Sequence, residues 1–319
     1  MKYYLAPMEG LTGFIYRNAH NKYFGNIDKY FTPFIVPTSS KKLKTKELRD
    51  VLPENNKDVK VIPQILTNDA EGFINTAYKL KEMGYDEINL NLGCPSGTVV
   101  AKGRGSGFLA FREELDLFLE KVFTEVKDMK ISIKTRIGKE DGNEFYELIE
   151  IFNKYKLEEL IIHPRTQKDF YGNTPNLEIF EDGIKLSTNP ICYNGDIFTV
   201  DDYKEFTKRF KNIDRIMLGR GILANPGLIN EIEKEEYMNK ETLKKFHDEI
   251  LNTYLDVLKD ERNTLFRMKE LWGYLNFSFE EDKKYLKAIK KSQKVRDYNE
   301  AVKAIFREKE ILKGSGFNR

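Results

Sequence analysis

Cys94 is the residue whose type and setting point most directly to chemistry. It lies between a glycine and a proline at the end of an apolar segment, and it opens a loop with two basic residues, Lys102 and Arg104. An unperturbed thiol has a pKa of about 8.5 and is mostly protonated at neutral pH. It can act as a general acid or, once deprotonated, as a nucleophile, and the residues leave both roles open. Cys192 sits in the apolar run Pro-Ile-Cys-Tyr and is predicted to lie in the core.

Lys134 and His163 end two other apolar segments and both need an electron-rich partner. The N1–C2=O edge of a flavin is such a partner, since Lys134 would stabilise its reduced anion. The structural alternative is that Lys134 pairs with an acidic residue and that His163 caps a strand. Glu9 and Asp196 are the only acidic candidates at the segment ends. We therefore favour the flavin interpretation.

Two glycine-containing turns follow the last two apolar segments, Asn194-Gly195-Asp196 and Gly219-Arg220-Gly221. Backbone amides beside glycine, together with a guanidinium, suit a phosphate dianion. Each turn taken alone is also an ordinary loop connection. Their joint occurrence predicts a ligand that carries a phosphate.

These residues can act together only if the fold brings the ends of their apolar segments close to one another. Strand-like and helix-like segments alternate over the first three quarters of the chain. The apolar periodicity predicts helices over 69–83, 115–126, 145–155, 177–186 and 200–210. The predicted strands are Tyr3–Ala6, Tyr30–Val36, Val61–Ile65, Glu87–Leu92, Ile131–Thr135, Glu159–Ile162, Ile191–Tyr193 and Arg215–Leu218.

Such alternation implies parallel strands joined by crossover helices. Eight strands over about 230 residues fit a (β/α)₈ TIM barrel of the α/β class, whose active site lies at the carboxyl ends of the strands and whose last two loops commonly bind phosphate. The alternative is an open doubly wound sheet. That fold usually carries a glycine-rich turn after its first strand, whereas Ala6-Pro7-Met8-Glu9-Gly10 follows here. The loop glycines Gly103, Gly105 and Gly107 are interpreted as a flexible loop.

The pattern changes near residue 238, where strand-like segments stop. Helices are predicted over 242–258, 264–277, 282–292 and 298–312. We therefore predict a barrel domain over residues 1–237, a small helical bundle domain over 238–313 and a polar, mobile tail over 314–319.

Composition narrows the class of protein further. The 319 residues have a formal net charge of +2 and 13% aromatic content, which argues against a disordered chain. No apolar run is long enough to span a bilayer, no signal peptide is evident, and two cysteines make no disulfide framework. Three scattered histidines argue against a metal site. The sequence thus predicts a cytoplasmic protein, a monomer without membrane or metal.

Several segments together resemble the motifs of bacterial tRNA-dihydrouridine synthases. The matching segments, in chain order, are Ala6-Pro7-Met8, Asn89-Leu90-Asn91-Leu92-Gly93-Cys94-Pro95, Lys134-Thr135-Arg136-Ile137-Gly138, His163-Pro164-Arg165-Thr166, Asn194-Gly195-Asp196-Ile197, Gly219-Arg220-Gly221 and Met268-Lys269-Glu270-Leu271-Trp272. The resemblance covers most of the barrel and extends into the helical region.

The resemblance implies an FMN-dependent oxidoreductase that reduces the C5=C6 bond of specific tRNA uridines to 5,6-dihydrouridine. FMN, reduced by NADPH or by NADH in its place, would give hydride to C6, and Cys94 would give the proton to C5. The residues implied to hold FMN are Pro7, Met8, Glu9, Gln64, Lys134, His163, Asn194, Gly195, Asp196, Gly219 and Arg220. Those implied to face the substrate include Asn91, Arg136 and Arg165.

The uneven distribution of charge fits a tRNA partner. Residues 240–319 contain 19 Lys and Arg against 14 Asp and Glu, whereas the remainder has a small acidic excess. Lys283, Lys287, Lys290 and Lys294 recur at helical spacing. A solvated lysine face is the ordinary explanation, but beside the barrel motifs we interpret the stripe as a surface for the tRNA backbone.

Two rival functions stay open at this level. One is an FMN barrel dehydrogenase that acts on a free pyrimidine-type small molecule and has no need of a basic helical domain. The other is a tRNA-binding protein that has lost catalysis and binds no flavin.

Overall fold

Parallel strand pairing builds the first part of the structure, a computed structural model that describes residues 1–38, 42–280 and 283–318. Nine strands form one sheet. They are β1 (Lys2–Leu5), β2 (Lys29–Phe31), β3 (Val61–Ile62), β4 (Gln64–Ile65), β5 (Glu87–Leu92), β6 (Lys130–Arg136), β7 (Leu160–His163), β8 (Ile191–Tyr193) and β9 (Arg215–Leu218).

The strand order closes this sheet into a barrel. It runs β3-β2-β1-β9-β8-β7-β6-β5-β4, and only Pro63 separates the two end strands along the chain. Proline has no N–H to donate to a neighbouring strand, so it splits what the sequence predicts as one strand. The Pro63 carbonyl still accepts from the Asn89 N–H at 2.9 Å. Because β3 and β4 are halves of one extended segment, the predicted eight-stranded barrel is confirmed and the open sheet is wrong.

The second strand is shorter than its apolar run predicts. It ends at Phe31, and Pro33 interrupts the pairing before Ile35 forms an isolated bridge with Ile65. The Thr32 hydroxyl instead accepts a hydrogen bond from the Gln64 backbone at 3.0 Å. The strand predicted over Tyr30–Val36 is therefore right in position and too long by several residues.

Helices alternate with the strands and then follow them along the chain, and every helix predicted from periodicity is present, one with the predicted bounds of 177–186 and the others with shifted ends. They are α1 (Phe14–Tyr23), α2 (Thr45–Val51), α3 (Ala70–Glu82), α4 (Gly97–Val100), α5 (Arg112–Glu125), α6 (Glu144–Asn153), α7 (Leu177–Leu186), α8 (Val200–Arg209), α9 (Arg220–Ala224), α10 (Leu228–Lys234), α11 (Lys240–Leu258), α12 (Glu261–Leu275), α13 (Lys283–Lys291) and α14 (Val295–Glu308). The predicted start of α13 at residue 282 lies outside the described residues. The last helix stops at Glu308 because Ile311 pairs with Phe279 in an antiparallel bridge.

The chain forms two compact units. The first contains Met1–Pro7, Asp28–Asp196 and Phe210–Met217, and the second contains Met8–Ile27, Ile197–Arg209 and Leu218–Arg319. Whether residues 238–313 form a domain by themselves stays a prediction. Within the described ranges, no helix has the length and apolar character needed to cross a membrane.

A buried ion-pair cluster closes the amino end of the barrel in the first unit. Lys29 Nζ lies 2.8 Å from Glu87 Oε1 and 3.0 Å from Glu159 Oε1. Tyr4 and Arg215 also donate to Glu159, at 2.8 and 3.2 Å. Burial raises the pKa of Glu87, while the lysine opposes that shift. Above the cluster, an apolar layer fills the barrel with side chains from six strands or their ends, namely Tyr4, Ala6, Phe31, Ile62, Ile161, Cys192 and Met217. Cys192 thus lies in the core as predicted.

The second unit is held by a buried polar network in an aromatic setting. Trp272 Nε1 donates to the Tyr298 hydroxyl at 2.8 Å, and that hydroxyl lies 2.6 Å from His247 Nε2. Because tryptophan can only donate, the tyrosine proton points to His247, whose Nδ1–H then donates to Asp248 at 2.9 Å. Burial lowers the pKa of His247, in keeping with a neutral ring.

The end of the chain packs against this unit. The mobile tail predicted for 314–319 is instead ordered at Ser315, whose carbonyl accepts from Asn225 at 3.1 Å. Phe317 lies 5.2 Å from the Phe198 ring and 5.1 Å from the Phe277 ring, centre to centre. Apolar contact of one aromatic residue therefore anchors a segment whose composition is otherwise polar.

Substitution of Lys29 by Met should destabilise the barrel strongly. It would leave Glu87 buried without a cation and Glu159 with Arg215 as its remaining partner, and breaking a buried pair in this way costs about 3–5 kcal/mol. The free energy of unfolding from urea titrations measures the effect. Lys130→Met is the matched control, since Lys130 is 54% exposed in its pair with Glu158 and should cost less than about 1 kcal/mol. Equal losses in both variants would contradict the assignment.

Candidate active site

A chain of buried amides crosses the carboxyl end of β4, β5 and β6. Gln64 Nε2 donates to Asn89 Oδ1 at 2.8 Å, and Asn89 Nδ2 donates to Ser132 Oγ at 2.9 Å. Asn91 Nδ2 donates to Gln64 Oε1 at 2.6 Å. Alternate residues of a strand point to the same side, which is why Asn89 and Asn91 meet Gln64 together. Their mutual bonding offsets the cost of burying amides and fixes their orientation.

Asn91 also shapes the turn that presents Cys94. Its Oδ1 accepts the backbone N–H groups of Gly93 at 3.0 Å and of Cys94 at 2.9 Å. The Cys94 carbonyl accepts from the Ser106 hydroxyl at 2.8 Å. The thiol is half-buried at the carboxyl end of the barrel.

The loop after Cys94 is packed rather than flexible, contrary to the sequence interpretation. Residues Gly105–Ala110 form a 3-10 turn with Phe108 and Leu109 buried. Gly105 has a φ of +56°, and a Cβ there would approach the Cys94 carbonyl oxygen to 2.8 Å. Only glycine fits this conformation and this approach, so Gly105 lets the loop close over the Cys94 backbone.

Lys134 is a half-buried cation at the end of β6. A Cβ built on Gly93 would lie 3.8 Å from Lys134 Nζ, which places the ammonium beside the Cys94 turn. Burial, with the charge of Arg136, lowers the pKa of Lys134 to about 8. Within residues 1–38, 42–280 and 283–318 no carboxylate pairs with it. The structural alternative, an ion pair with Glu9 or Asp196, is thus wrong for the described chain.

Arg136 is buried, with backbone carbonyls around its guanidinium. Nε donates to Gly93 at 2.9 Å, Nη1 to Thr166 at 2.7 Å and Nη2 to Phe170 at 2.6 Å. Burial lowers its pKa to about 10, still well above neutral pH. The sequence assigns Arg136 to the substrate. The geometry favours a positioning role, and contact with the substrate stays a prediction.

Arg165 joins the ends of β7 and β8. It forms a two-pronged ion pair with Asp196, at 2.9 and 2.5 Å, and donates to the Asn173 carbonyl at 2.9 Å. Its Nη1 lies 3.1 Å from His163 Nε2. Because a guanidinium can only donate, Nε2 is the acceptor and the His163 proton resides on Nδ1. Asp196 is therefore engaged by Arg165, and its predicted contact with a cofactor is untested.

The turn after β8 is fixed by its own strand neighbours. Asn194 Nδ2 donates to the Met217 carbonyl at 2.8 Å. A Cβ at Gly195 would lie 2.0 Å from the Tyr193 hydroxyl, so no other residue fits there without displacing that side chain. The side chain of Tyr193 is thus the reason that a glycine stands at position 195, and the sequence does not reveal this contact.

Four other predicted cofactor residues belong to the second unit. Met8 N donates to the Thr12 hydroxyl at 2.8 Å, and Glu9 is exposed. Gly219 precedes α9, and the Arg220 guanidinium lies 5.0 Å from the ring centre of Phe198 and 5.1 Å from that of Phe317. The aromatic partner Phe317 is distant in sequence, so no local pattern could have indicated it. Pro7 ends the first segment of the first unit.

The predicted lysine stripe is exposed. Lys283, Lys287 and Lys290 lie on the outer side of α13, whose Tyr285 and Ile289 are buried, and Lys294 precedes α14. Leu286, on the same helix, is half-buried.

Sequence reasoning missed two residues of the site, Ser106 and Tyr171. Ser106 supports the Cys94 carbonyl, and the Tyr171 ring centre lies 6.1 Å from that of His163. The pair Phe170-Tyr171 shortly after the β7 motif is the signal that could have indicated an aromatic surface.

Comparison with known sequences places the chain among tRNA-modifying enzymes. The sequence model described as dihydrouridine synthase matches residues 4–316. A probable tRNA-dihydrouridine synthase of Staphylococcus aureus (strain COL) is 29% identical over 262 residues, covering 78% of this chain and 77% of that protein. Probable tRNA-dihydrouridine synthase 2 of Bacillus subtilis (strain 168) is 27% identical over 263 residues, covering 81% and 78%.

Solved structures share the fold at low identity. A variant of NCR from Zymomonas mobilis superposes with a TM-score of 0.51 at 12% identity, covering 77% of this chain and 90% of that one. A morphinone reductase mutant in complex with tetrahydroNAD superposes with a TM-score of 0.52 at 10% identity, covering 76% and 89%. Likeness at this level concerns the barrel fold alone.

Proposed function

The chain belongs to the dihydrouridine synthase family, and on that premise we propose how its residues divide the work. The protein reduces uridine in tRNA to 5,6-dihydrouridine and is a flavin-dependent oxidoreductase with a nicotinamide reductant. The match over residues 4–316 carries this conclusion, because it includes every barrel motif. A dehydrogenase of free pyrimidines and a tRNA-binding protein without catalysis are thereby set aside.

The residues at the carboxyl end of the barrel fit a flavin. Lys134 presents an ammonium without a carboxylate partner in the described chain. His163 is buried at the end of β7, the strand that pairs with β6. We assign Gln64, Lys134 and His163 to the ring system, with Pro7, Asn194, Gly195 and Asp196 as further ligands. Met8, Glu9, Gly219 and Arg220 stay sequence predictions for the same cofactor. When bound, the reduced flavin supplies the hydride that adds to C6 of uracil.

Cys94 is the proposed proton donor to C5. Hydride addition at C6 leaves negative charge on C5 and O4 of the base, and a neutral thiol at C5 neutralises it. Asn91 and Ser106 hold the backbone on both sides of the thiol, so its position is set before the substrate arrives. Asn91 has one amide hydrogen beyond its bond to Gln64, and we assign it to a uracil carbonyl.

We propose that the flavin is FMN and that the nicotinamide reductant is NADPH. Arg136 and Arg165 are proposed to affect substrate binding through the loop whose backbone they hold. The proposed contacts to tRNA phosphates come from Lys283, Lys287, Lys290 and Lys294. A cytoplasmic location and a monomeric state stay predictions. A uridine inside folded tRNA must leave its stack to reach a barrel mouth, and contacts to phosphates offset that cost.

FMN should bind more tightly than riboflavin, because its phosphate adds charge-assisted hydrogen bonds. We expect about tenfold to hundredfold higher affinity for FMN by fluorescence titration of the apoprotein. Arg220→Met should reduce the difference in affinity between FMN and riboflavin. Arg262→Met, at an exposed position of α12, should leave this difference unchanged. Equal affinities of the wild type for both flavins would reject FMN as the cofactor.

Cys94→Ala should separate the two half-reactions. Loss of a general acid lowers the rate about 10²–10⁴-fold, so dihydrouridine formation falls while NADPH still reduces the flavin at the wild-type rate. Stopped-flow absorbance and mass spectrometry of digested tRNA measure the two steps. Cys94→Ser, which preserves shape but not acidity, is the matched control for packing and should also be slow. Equal loss of both half-reactions would show that Cys94 is structural.

Reversal of two stripe lysines, Lys287→Glu with Lys290→Glu, should weaken tRNA binding. The slope of log affinity against log salt should also become shallower by about two, one for each lost phosphate contact. Filter binding over a salt series measures both quantities. Lys57→Glu with Lys60→Glu, two exposed lysines near the amino end of the barrel, is the control. Indistinguishable behaviour of the two pairs would place the tRNA elsewhere.

A further inference from the structure

The loop that follows β7 displays two adjacent aromatic side chains. Phe170 is 49% exposed and Tyr171 is 46% exposed. The motif residues just before them, His163, Arg165 and Thr166, are buried. Isolated exposed aromatics are ordinary on a protein surface, but neighbouring ones beside a site are typical of a binding surface. The following observations concern residues 166–173, named here the β7 loop.

Two buried guanidinium groups hold the backbone of the β7 loop. Arg136 donates to the carbonyls of Thr166 and Phe170, at 2.7 and 2.6 Å. Arg165 donates to those of Gly172 and Asn173, at 3.1 and 2.9 Å. Two arginines therefore fix the backbone on both sides of the aromatic pair.

Asp169 braces the same loop from within. It accepts from the Thr166 backbone and hydroxyl at 2.8 and 2.9 Å and from Asn173 at 2.6 Å. Burial alone would raise the pKa of Asp169, but these hydrogen bonds lower it below its ordinary value. The loop is thus ordered by charged groups before any ligand binds.

Phe170 holds a backbone conformation that bulky residues rarely adopt. Its φ is +51°, in the left-handed region. Such a conformation persists where surrounding contacts determine it, and the Arg136 bond to the Phe170 carbonyl is such a contact. The strain accompanies the outward display of an aromatic side chain of which about half stays exposed.

Tyr171 lies directly beside the residues of the site. Its ring centre is 6.1 Å from that of His163 and 5.4 Å from the Arg136 guanidinium. One face of the side chain is therefore covered by site residues while nearly half of its surface stays exposed. Lys168, also exposed in this loop, supplies a cation on the same segment.

We propose that Tyr171, with Phe170 beside it, is a stacking surface for an unpaired base of the tRNA strand that carries the target uridine. RNA is read mainly through unstacked bases placed on aromatic side chains, which accept any base because each has a π-face. The role of Arg136 and Arg165 is to position this surface. The inference rests on the proposed function, because it needs a tRNA substrate at this end of the barrel.

Tyr171→Ala tests the inference in the flavin-loaded full-length protein with unmodified tRNA transcribed in vitro. The KM for tRNA should rise about tenfold to hundredfold, the range given by loss of one stacked base, with kcat nearly unchanged. Tyr171→Phe should restore the wild-type KM, and Tyr171→Leu, which keeps bulk without a ring face, should resemble Ala. Tyr78→Ala is the matched control, because Tyr78 is 44% exposed on α3. It should leave KM unchanged.

Other outcomes overturn the inference. An unchanged KM for tRNA with weaker flavin binding would assign the ring to the cofactor, and slower flavin reduction by NADPH would assign it to the nicotinamide. If Tyr171→Ala does not fold, Tyr171→Leu and Phe170→Ala carry the test, and wild-type KM values in both would reject stacking. A wild-type protein that forms no dihydrouridine would instead reject the proposed function itself.

Discussion

Two buried guanidinium groups organise the carboxyl end of the barrel. Arg136 ties the end of β5, through the Gly93 carbonyl, to the loop after β7. Arg165 ties that loop to Asp196 after β8 and fixes the protonation of His163. Arginine suits this role because it stays charged when buried and offers five donors in a fixed plane. The positions of the thiol, the imidazole and the aromatic pair all depend on these two side chains.

The two ends of the barrel treat buried charge in opposite ways. At the amino end, Lys29 faces Glu87 and Glu159, so the charges satisfy one another and contribute to the fold. At the carboxyl end, Lys134 has no carboxylate partner in the described part of the chain, and burial lowers its pKa to about 8. A cation kept in an unfavourable setting is typical of a functional site. The contrast within one barrel separates charge that stabilises the fold from charge that is proposed to serve a ligand.

The sequence predicts those features of the fold that depend on residues close together in the chain. Strands β5, β8 and β9 occur with the bounds that their apolar runs predict, and the motif residues do end their strands. What failed depends on partners distant in sequence. The sequence does not indicate helix α1, because this helix buries Arg17 and His20, polar residues that interrupt its apolar face. The sequence indicates a flexible loop after Cys94 because the hydrogen bond that orders this loop, from Ser106 to the Cys94 carbonyl, joins residues twelve apart. Nothing near Arg165 in the sequence indicates that Asp196 is its partner.

The charge of Lys134 bears on the proton that Cys94 must hold in its proposed role as general acid. Burial is the main cause of the lowered pKa of Lys134, and the nearby Cys94 opposes that shift. A cation beside a thiol in general favours the thiolate. A general acid needs the neutral thiol, so some negative charge has to offset the lysine. Asp196, which the sequence offers for this purpose, is committed to Arg165 through both carboxylate oxygens. The described part of the chain thus leaves that countercharge to the proposed ligand, and an anionic ligand at Lys134 would keep the thiol protonated. Cofactor binding and the proposed acid function of Cys94 would in this way be coupled through one ammonium group.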